Sequence, residues 1–152
     1  MEKFEKNLGY HFRDPSLLTR ALTRKAFANE ERQQDRLHDD QEILATLGDA
    51  VLKAAFVDLL VRARYPTPDA ITQEKKSLER HDALAGIAVQ IGIGPYIRLG
   101  AGERKQGAEN EPYVLAETLE AVIGAIYLDG GCEAAREAVI RWYSNRIRPH
   151  PG

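Results

Sequence analysis

The chain has 152 residues, a length typical of one domain, and 43% of them are hydrophobic, which is enough to form a buried core. A formal net charge of −2 neither indicates nor excludes nucleic-acid binding, because a basic surface can be hidden in a neutral total. The single cysteine, Cys132, excludes a disulfide within the chain and favours a reducing, cytoplasmic setting. We expect no membrane span and no signal peptide, because no apolar run approaches the ~18 residues that a span needs.

The first half of the chain predicts two helices separated by a polar stretch. The Asp-Pro pair at 14–15 forms an N-cap and a first helical residue, and it opens a helix over 15–28. Residues 29–40 are polar and charged, which predicts a loop or a solvated helix end. Apolar residues at helical spacing then predict a helix over about 41–63, capped by one of the two aspartates at 39–40.

The second half adds further helices and a glycine-containing loop over 96–112. In chain order, the predicted helices are one that starts at Thr67-Pro68, one over about 80–91 that stops at Gly92, one from Pro112 to about Leu128, and a last one over about 132–147. Strand patterns are almost absent. The sequence therefore predicts an all-α domain of about six or seven helices over 1–148, followed by a tail at 149–152.

Two of these helices carry acidic residues beside small ones. Glu42 and Asp49 are seven residues apart, so they share a face of the first helix two turns apart. Gly48 lets another backbone or a ligand approach beside Asp49. Glu117 and Glu120 are three residues apart and share a face of the second helix.

Such carboxylates have two interpretations. Several of them converging from rigid helices are the oxygen ligands that Mg²⁺ prefers, and a metal site of this kind suits phosphodiester hydrolysis. Acidic residues at this spacing are also common on helices that only face water. The four histidines are scattered along the sequence and form no nucleophile or ligand pattern with these residues. Spacing alone leaves both interpretations open.

The residues around these carboxylates resemble a known family. The segment LGDAVL at 47–52 resembles the ribonuclease III signature, which typically reads E-R-L-E-F-L-G-D-[SA]-V-L, and LAETLEAVIGAIYLDGG at 115–131 resembles the family's second acidic helix. Segments at 8–23 and 99–109 are similar as well, so the resemblance extends over most of the chain. It implies an all-α endonuclease domain that forms a symmetric homodimer. It also implies cleavage of double-stranded RNA with Mg²⁺, or Mn²⁺ as a substitute, leaving short 3′ overhangs.

The resemblance assigns roles position by position. Asp49 matches the aspartate of the signature and Glu120 the glutamate of the second helix, which implies that both are catalytic and bind the metal. Glu117 stands where the family has an aspartate, which implies a third metal ligand. Glu42 matches the glutamate that opens the signature and is a candidate accessory acidic residue.

The site also departs from the family pattern. Ala45 stands where the family has a second signature glutamate that belongs to the metal site. Its absence removes a charge and one or two oxygen ligands, and we hypothesise that the longer side chain of Glu117 partly compensates. Arg24 replaces a histidine and Ala26 a serine, while Ile43 and Thr46 replace the usual arginine and phenylalanine.

RNA contacts are expected from basic side chains near the acidic helices, since phosphate binding is electrostatic and salt-dependent. The candidates are Arg104, Lys105, Lys75, Lys76, Arg80, Arg24 and Lys25. The family's usual C-terminal double-stranded-RNA-binding domain has no match in this sequence, so we expect weak binding. A-form RNA is read mostly by its shape and its 2′-hydroxyls.

Three functional hypotheses follow. The first is a Mg²⁺-dependent endoribonuclease that cleaves double-stranded or structured RNA by attack of metal-activated water on phosphodiesters. The alternative is a catalytically impaired domain of the same type that binds RNA or a protein, which Ala45 and the altered 24–26 segment motivate. The third is a helical structural or metal-binding dimer without a role on RNA.

Overall fold

The computed structural model describes residues 1–147 and 149–150, and within them it contains helices but no named strand. The all-helical prediction is confirmed. The α-helices are α1 Glu2–Leu8, α2 Pro15–Ala21, α3 Lys25–Gln33, α4 Glu42–Arg62, α5 Pro68–Leu78, α6 His81–Ile91, α7 Ala101–Lys105 and α8 Pro112–Tyr143, with short 3₁₀ helices at Gly94–Tyr96 and Ala108–Asn110. The sequence predicts six or seven helices and the described residues form eight α-helices: α1, α3 and α7 are additional, whereas the predicted helices over 112–128 and 132–147 form the single element α8.

Local capping chemistry sets several of the predicted helix ends. Asp14 is the N-cap of α2, and its side chain accepts a hydrogen bond from the Ser16 amide at 3.0 Å. The helix begins at Pro15. The Thr67 hydroxyl accepts from the Ala70 amide at 3.1 Å at the start of α5. Gly92 ends α6 with a φ of 75°, a left-handed conformation that glycine adopts readily.

The predicted helix over 15–28 is wrong in its continuity, because the chain breaks between α2 and α3. Thr23 forms an isolated parallel bridge with Arg98: the Arg98 amide donates to Leu22 O at 2.7 Å, and the Arg24 amide donates to Arg98 O at 3.0 Å. This contact joins residues about 75 positions apart in the sequence, so no local pattern signals it. Of the two predictions for 29–40, the solvated helix end holds for 29–33, which are the end of α3, and the loop holds for the residues that follow.

The start of α4 and the 96–112 segment also differ from expectation. The N-cap of α4 is Gln41 rather than an aspartate, although Asp40 accepts a hydrogen bond from the Glu42 amide at 2.9 Å. The predicted loop contains α7, whose Glu103 side chain accepts a hydrogen bond from the Gly100 amide at 3.2 Å.

The C-terminal helices form one element with an interruption. Gly131 has non-helical angles, φ 88° and ψ −178°, which corresponds to the predicted break after Leu128. Helix α8 ends at Tyr143, a few residues before the predicted 147. Of the predicted tail, the His150 amide donates to Ala63 O at 3.1 Å, and residues 151–152 lie outside the described residues.

Helices α4 and α8 cross at the centre of the core, at contact distance between their backbones. A Cβ at Gly48 would lie 1.6 Å from the Glu120 backbone oxygen, and one at Gly124 would lie 2.2 Å from the Leu44 oxygen. Only glycine fits at either position, so the expectation of a closely approaching backbone at Gly48 is confirmed. Among the described residues, none of the helices combines the length and apolar character needed to cross a bilayer.

Candidate functional site

The crossing of α4 and α8 brings three of the predicted acidic residues to one cavity. Asp49 follows Gly48 on α4, and Glu117 and Glu120 lie one turn apart on α8. The cavity has a volume of about 310 Å³. It is lined by Ala45, Thr46, Asp49, His81, Tyr113, Glu117 and Glu120. Asp49 therefore shares one acidic site with two glutamates that lie about 70 positions further along the chain.

Glu120 is the most perturbed carboxylate of the site. Its burial and the neighbouring negative charges of Asp49 and Glu117 raise the pKa of Glu120 to about 7, against an ordinary value of 4.5. Glu79 raises this pKa further, whereas Lys53 lowers it. Burial and the two neighbouring carboxylates thus disfavour the ionised form of Glu120, which a bound cation would stabilise.

Asp49 is partly exposed and forms an ion pair within its own helix. Lys53 Nζ lies 3.0 Å from Asp49 Oδ2 at i,i+4 spacing, and the two side chains are 47% and 45% exposed. The hydrogen bond from Asp49 and its charge raise the pKa of the Lys53 ammonium. An exposed pair of this kind contributes little to stability and exchanges easily with solvent ions.

Glu117 is engaged by a less exposed cation. Its Oε2 accepts a hydrogen bond from Arg24 Nη1 at 2.8 Å. The same guanidinium pairs with Glu103 through Nε and Nη2, both at 3.0 Å. Burial opposes the charge of Arg24, but the hydrogen bonds and charges of the two carboxylates outweigh it and raise the pKa of the guanidinium. Glu117 therefore contacts Arg24, and the hypothesis that it compensates for Ala45 gains no support from this geometry.

The departures from the family pattern occupy different surroundings. Ala45 is 6% exposed and lines the cavity, so a longer acidic side chain at this position would enter the site. Thr46 donates from its hydroxyl to Glu42 O at 3.1 Å, and Ile43 is 69% exposed. Ala26 packs closely against Gly100, since a Cβ added at Gly100 would lie 2.7 Å from the Ala26 methyl group.

Glu42 does not line the acidic cavity. Its Oε1 lies 3.3 Å from Lys25 Nζ at the surface, where the two side chains are 44% and 64% exposed. Its predicted accessory role therefore has no geometric support in this arrangement, and it stays a prediction.

The predicted RNA-binding residues divide into paired and exposed groups. Lys25 pairs with Glu42, Lys75 with Glu79 at 3.1 Å, and Arg80 with Asp82 at 3.1 Å. The residues that combine exposure with freedom from these pairs are Lys76, Arg104 and Lys105. Arg24 is 14% exposed and lies inside the acidic network, so it is poorly placed to reach a phosphate in this arrangement.

Two residues of the cavity were missed by the sequence interpretation. His81 and Tyr113 stand at its edge with their rings 5.8 Å apart in an edge-on arrangement, and Tyr113 is 58% exposed. Tyr113 precedes Glu117 by four residues, so helical spacing predicts the shared face once a helix start at Pro112 is recognised. The position of His81, on another helix, has no such local signal.

The donor chemistry of the site fits a hard divalent cation, although no ligand set is preformed. Carboxylate oxygens are what Mg²⁺ binds, and the pKa of Glu120 is raised first by its burial and then by the charges of Asp49 and Glu117. In the part of the chain that the structure describes, however, no three His, Cys, Asp or Glu side chains are gathered as a metal-binding group. Asp49 and Glu120 are the residues that would hold the metal, while Glu117 is held by Arg24.

Comparisons with known proteins identify similar chains. A family model described as Ribonuclease-III-like matches residues 14–147. Ribonuclease 3 of Pseudomonas fluorescens (strain SBW25) is 38% identical over 149 residues, covering 97% of this chain and 61% of that protein. Ribonuclease 3 of Hahella chejuensis (strain KCTC 2396) is 36% identical, covering 97% of this chain and 62% of that protein. The chain thus spans about three fifths of the length of these curated relatives.

Solved structures match over the whole domain. A crystal structure of the nuclease domain of ribonuclease III from Campylobacter jejuni has a TM-score of 0.85 and 32% identity, covering 97% of both chains. A second structure of that domain, described in terms of structural flexibility in a region involved in dimer formation, has a TM-score of 0.85 and 31% identity, covering 96% of this chain and 97% of that one.

Proposed function

The chain belongs to the ribonuclease III family, and on this premise we propose that it is a Mg²⁺-dependent endoribonuclease that acts on double-stranded or structured RNA. The observation that carries the proposal is the placement of Asp49 and Glu120 at one cavity between two packed helices. The chemistry that bound Mg²⁺ supplies at such a site is activation of water, neutralisation of the phosphate and stabilisation of the leaving 3′ oxygen. We expect Mn²⁺ to substitute, because it also binds carboxylate oxygens.

The packing of α4 against α8 positions the two carboxylates that we propose bind the metal. Asp49 and Glu120 come from rigid helices whose glycine crossing fixes their separation, so neither carboxylate depends on a loop for its position. Glu120 is half-buried, which keeps its carboxylate poorly solvated and attractive to a cation. The rings of His81 and Tyr113 at the cavity edge offer contact surface to a nucleotide.

RNA binding in this proposal uses the exposed basic residues outside the cavity. Arg104 and Lys105 project from α7, and Lys76 from α5. Glu103 of α7 pairs with Arg24, which places this short helix beside the acidic site. Cations flanking an acidic cavity hold the RNA backbone by charge while the scissile phosphate enters the cavity.

A homodimer is the second part of the proposal. The exposed side of α4 and the neighbouring part of α8 form a mainly apolar groove of about 450 Å³. The groove is lined by Leu47, Ala50, Val51, Ala54, Ala55, Asp58, Tyr127, Cys132 and Arg136. Apolar surface of this kind favours association, and one similar solved structure is described in terms of dimer formation. Two copies joined here would carry two acidic sites, one for each strand of a duplex.

A cleavage assay with matched variants tests the function. Purified protein is incubated with double-stranded RNA and Mg²⁺ or Mn²⁺, alongside Asp49→Asn, Glu120→Gln and the control Glu137→Gln, an exposed substitution on α8 beyond Gly131. We expect cleavage by the wild type and the control, and none by the two site variants.

Other outcomes favour the other hypotheses. Binding without cleavage under either ion would support a catalytically impaired RNA- or protein-binding module, which Ala45 and the Arg24–Glu117 pair motivate. Neither binding nor cleavage would leave a structural dimer.

A further inference from the structure

Arg24 places a positive charge beside the acidic cavity in which we propose that a divalent cation binds. We propose that Arg24 is a positioning residue that acts as an internal counter-ion. It holds Glu117 away from a divalent cation, so the site binds that cation through Asp49 and Glu120, and more weakly than it would with a neutral residue at 24. This inference rests on the proposed function, because it concerns the same acidic site.

The geometry of the guanidinium carries the inference. Nη1 donates to Glu117 Oε2 at 2.8 Å and to Gln41 Oε1 at 3.1 Å, while Nε and Nη2 contact Glu103. These contacts use all three guanidinium nitrogens at once. A planar fork with this many fixed acceptors keeps its orientation, unlike a single ammonium on a flexible stem.

The surroundings of Arg24 are fixed as well. Its backbone amide donates to Arg98 O at 3.0 Å, and Arg24 is the N-cap of α3. Gln41 is fully buried, and its amide nitrogen donates to Ala21 O at 2.7 Å and to the buried Thr118 hydroxyl at 3.2 Å. The partner that orients Nη1 is therefore itself anchored, so the Arg24–Glu117 pair is built into the fold.

The two cationic side chains of the site, Lys53 and Arg24, differ in how easily a divalent cation would displace them. Lys53 is 47% exposed and makes one contact, with Asp49, so a divalent cation displaces it at little cost. Arg24 is 14% exposed, and its release would leave a buried charge and two carboxylates without their partner. Glu117 is thus the least available of the three carboxylates, and the fixed positive charge beside it repels a second cation.

The experiment measures Mn²⁺ binding to the metal-free protein by electron paramagnetic resonance, without RNA. It compares the wild type with Arg24→Gln, Arg24→Lys and Glu117→Gln, with Asp49→Asn marking the site, and thermal unfolding verifies that each variant folds. We expect Arg24→Gln to tighten Mn²⁺ binding by about tenfold, because it removes a fixed positive charge and releases Glu117. Arg24→Lys keeps the charge and is expected to stay within about threefold of the wild type.

Glu117→Gln keeps the inference testable if Arg24→Gln fails to fold. If Glu117 is not a ligand in the wild type, this variant lowers Mn²⁺ affinity by less than about threefold, whereas loss of a ligand would cost on the order of tenfold or more. Unchanged or weaker binding by folded Arg24→Gln, or a large loss in Glu117→Gln, overturns the inference even when the wild type binds Mn²⁺ and cleaves RNA. No Mn²⁺ binding by the wild type or Arg24→Gln overturns both the inference and the proposed metal dependence.

Discussion

The carboxylates of the acidic site differ in their partners and pKa values, and their spacing in the sequence does not indicate this difference. Glu117 and Glu120 lie one turn apart on the same helix, yet Glu117 faces Arg24 at 2.8 Å whereas Glu120 has a pKa raised to about 7. The difference arises from partners on other elements, above all the position of residue 24 between α2 and α3. Charge and burial, more than residue type, decide which carboxylate is available to a cation.

The raised pKa of Glu120 predicts how stability depends on pH. A carboxyl whose pKa is higher in the folded than in the unfolded state binds more protons when folded, so the free energy of unfolding falls as pH rises from about 4.5 to about 7. Glu120→Gln removes this titration. We expect it to be more stable than the wild type at pH 8 by on the order of 1 kcal/mol, since the half-exposed carboxyl is partly screened, and to lose the advantage near pH 4.

Urea unfolding across this pH range, with a chelator present, measures the difference. The control Glu137→Gln carries the same change at an exposed position and should follow the wild type. An equal or lower stability of Glu120→Gln at pH 8 would show that the fold does not strain this carboxylate.

Part of this residue-scale arrangement is predictable from sequence. Helical spacing places Glu117 and Glu120 on one face, and the family resemblance adds Asp49 from a distant segment. The contacts of Arg24 are not predictable in this way, because Glu103 and Glu117 are 79 and 93 residues away in the chain. Only the packing of α7 and α8 around the end of α2 brings them together.

At the scale of elements, the crossing of α4 and α8 determines the geometry of the site. Gly48→Ala would place a methyl group 1.6 Å from the Glu120 backbone oxygen, so the helices must separate. We expect a loss of roughly 3 kcal/mol or more in the free energy of unfolding, at the upper end of what overpacking costs. The control is Gly102→Ala on α7, where a Cβ meets nothing within 4 Å and the change should be neutral or slightly stabilising. Comparable urea midpoints for the two variants would contradict a tight crossing.

Helix α7 predicts a salt-dependent contribution to RNA binding. Arg104→Gln and Lys105→Gln each remove one exposed charge, and we expect each to reduce the slope of log affinity against log salt by about one, with little effect on the fold. Filter binding to duplex RNA over a range of salt concentrations measures the slope. Lys3→Gln on α1 is the matched control, and a slope that changes equally in all three variants would place the contact elsewhere.

The sequence predicts best the helix ends that are set by a capping residue close by in the chain. Asp14 and Thr67 cap α2 and α5, and Gly92 ends α6, because each signal lies within a few residues of the helix end that it sets. The break between α2 and α3 depends on the bridge from Thr23 to Arg98, which local propensity does not encode. The short helix α7 was missed for a similar reason, since the Ala101 amide is held by Glu30 of α3 at 2.8 Å.

For the whole molecule, the exposed apolar groove along α4 predicts self-association. We expect a dimer at micromolar concentration and a monomer for Ala54→Arg, which places a charge on an exposed helical position within the groove without disturbing the core. Val61→Arg, on an exposed part of α4 outside the groove, should remain dimeric. Sedimentation velocity distinguishes the two, and a monomeric wild type would remove the dimer from the proposal.

The fold depends on residues along most of the chain, whereas the proposed activity depends on a few side chains. The family assignment draws on a match over residues 14–147 and tolerates single substitutions. Activity depends on a few atoms, among them the carboxylate that Ala45 lacks and the one that Arg24 holds. A single substitution in the acidic site can therefore change the chemistry without changing the architecture.

The proposed hydrolysis is tested most directly by the chemistry of the RNA ends that digestion leaves. Labelled duplex RNA is digested with Mg²⁺, and the 3′ ends of the products are identified by mass spectrometry, with Asp49→Asn in parallel. We expect 3′-hydroxyl ends from the wild type and intact RNA from the variant, because attack of water on the phosphodiester makes the 3′ oxygen the departing group and leaves the phosphate on the 5′ end. Ends bearing a 2′,3′-cyclic phosphate, or equal cleavage by Asp49→Asn, would contradict it.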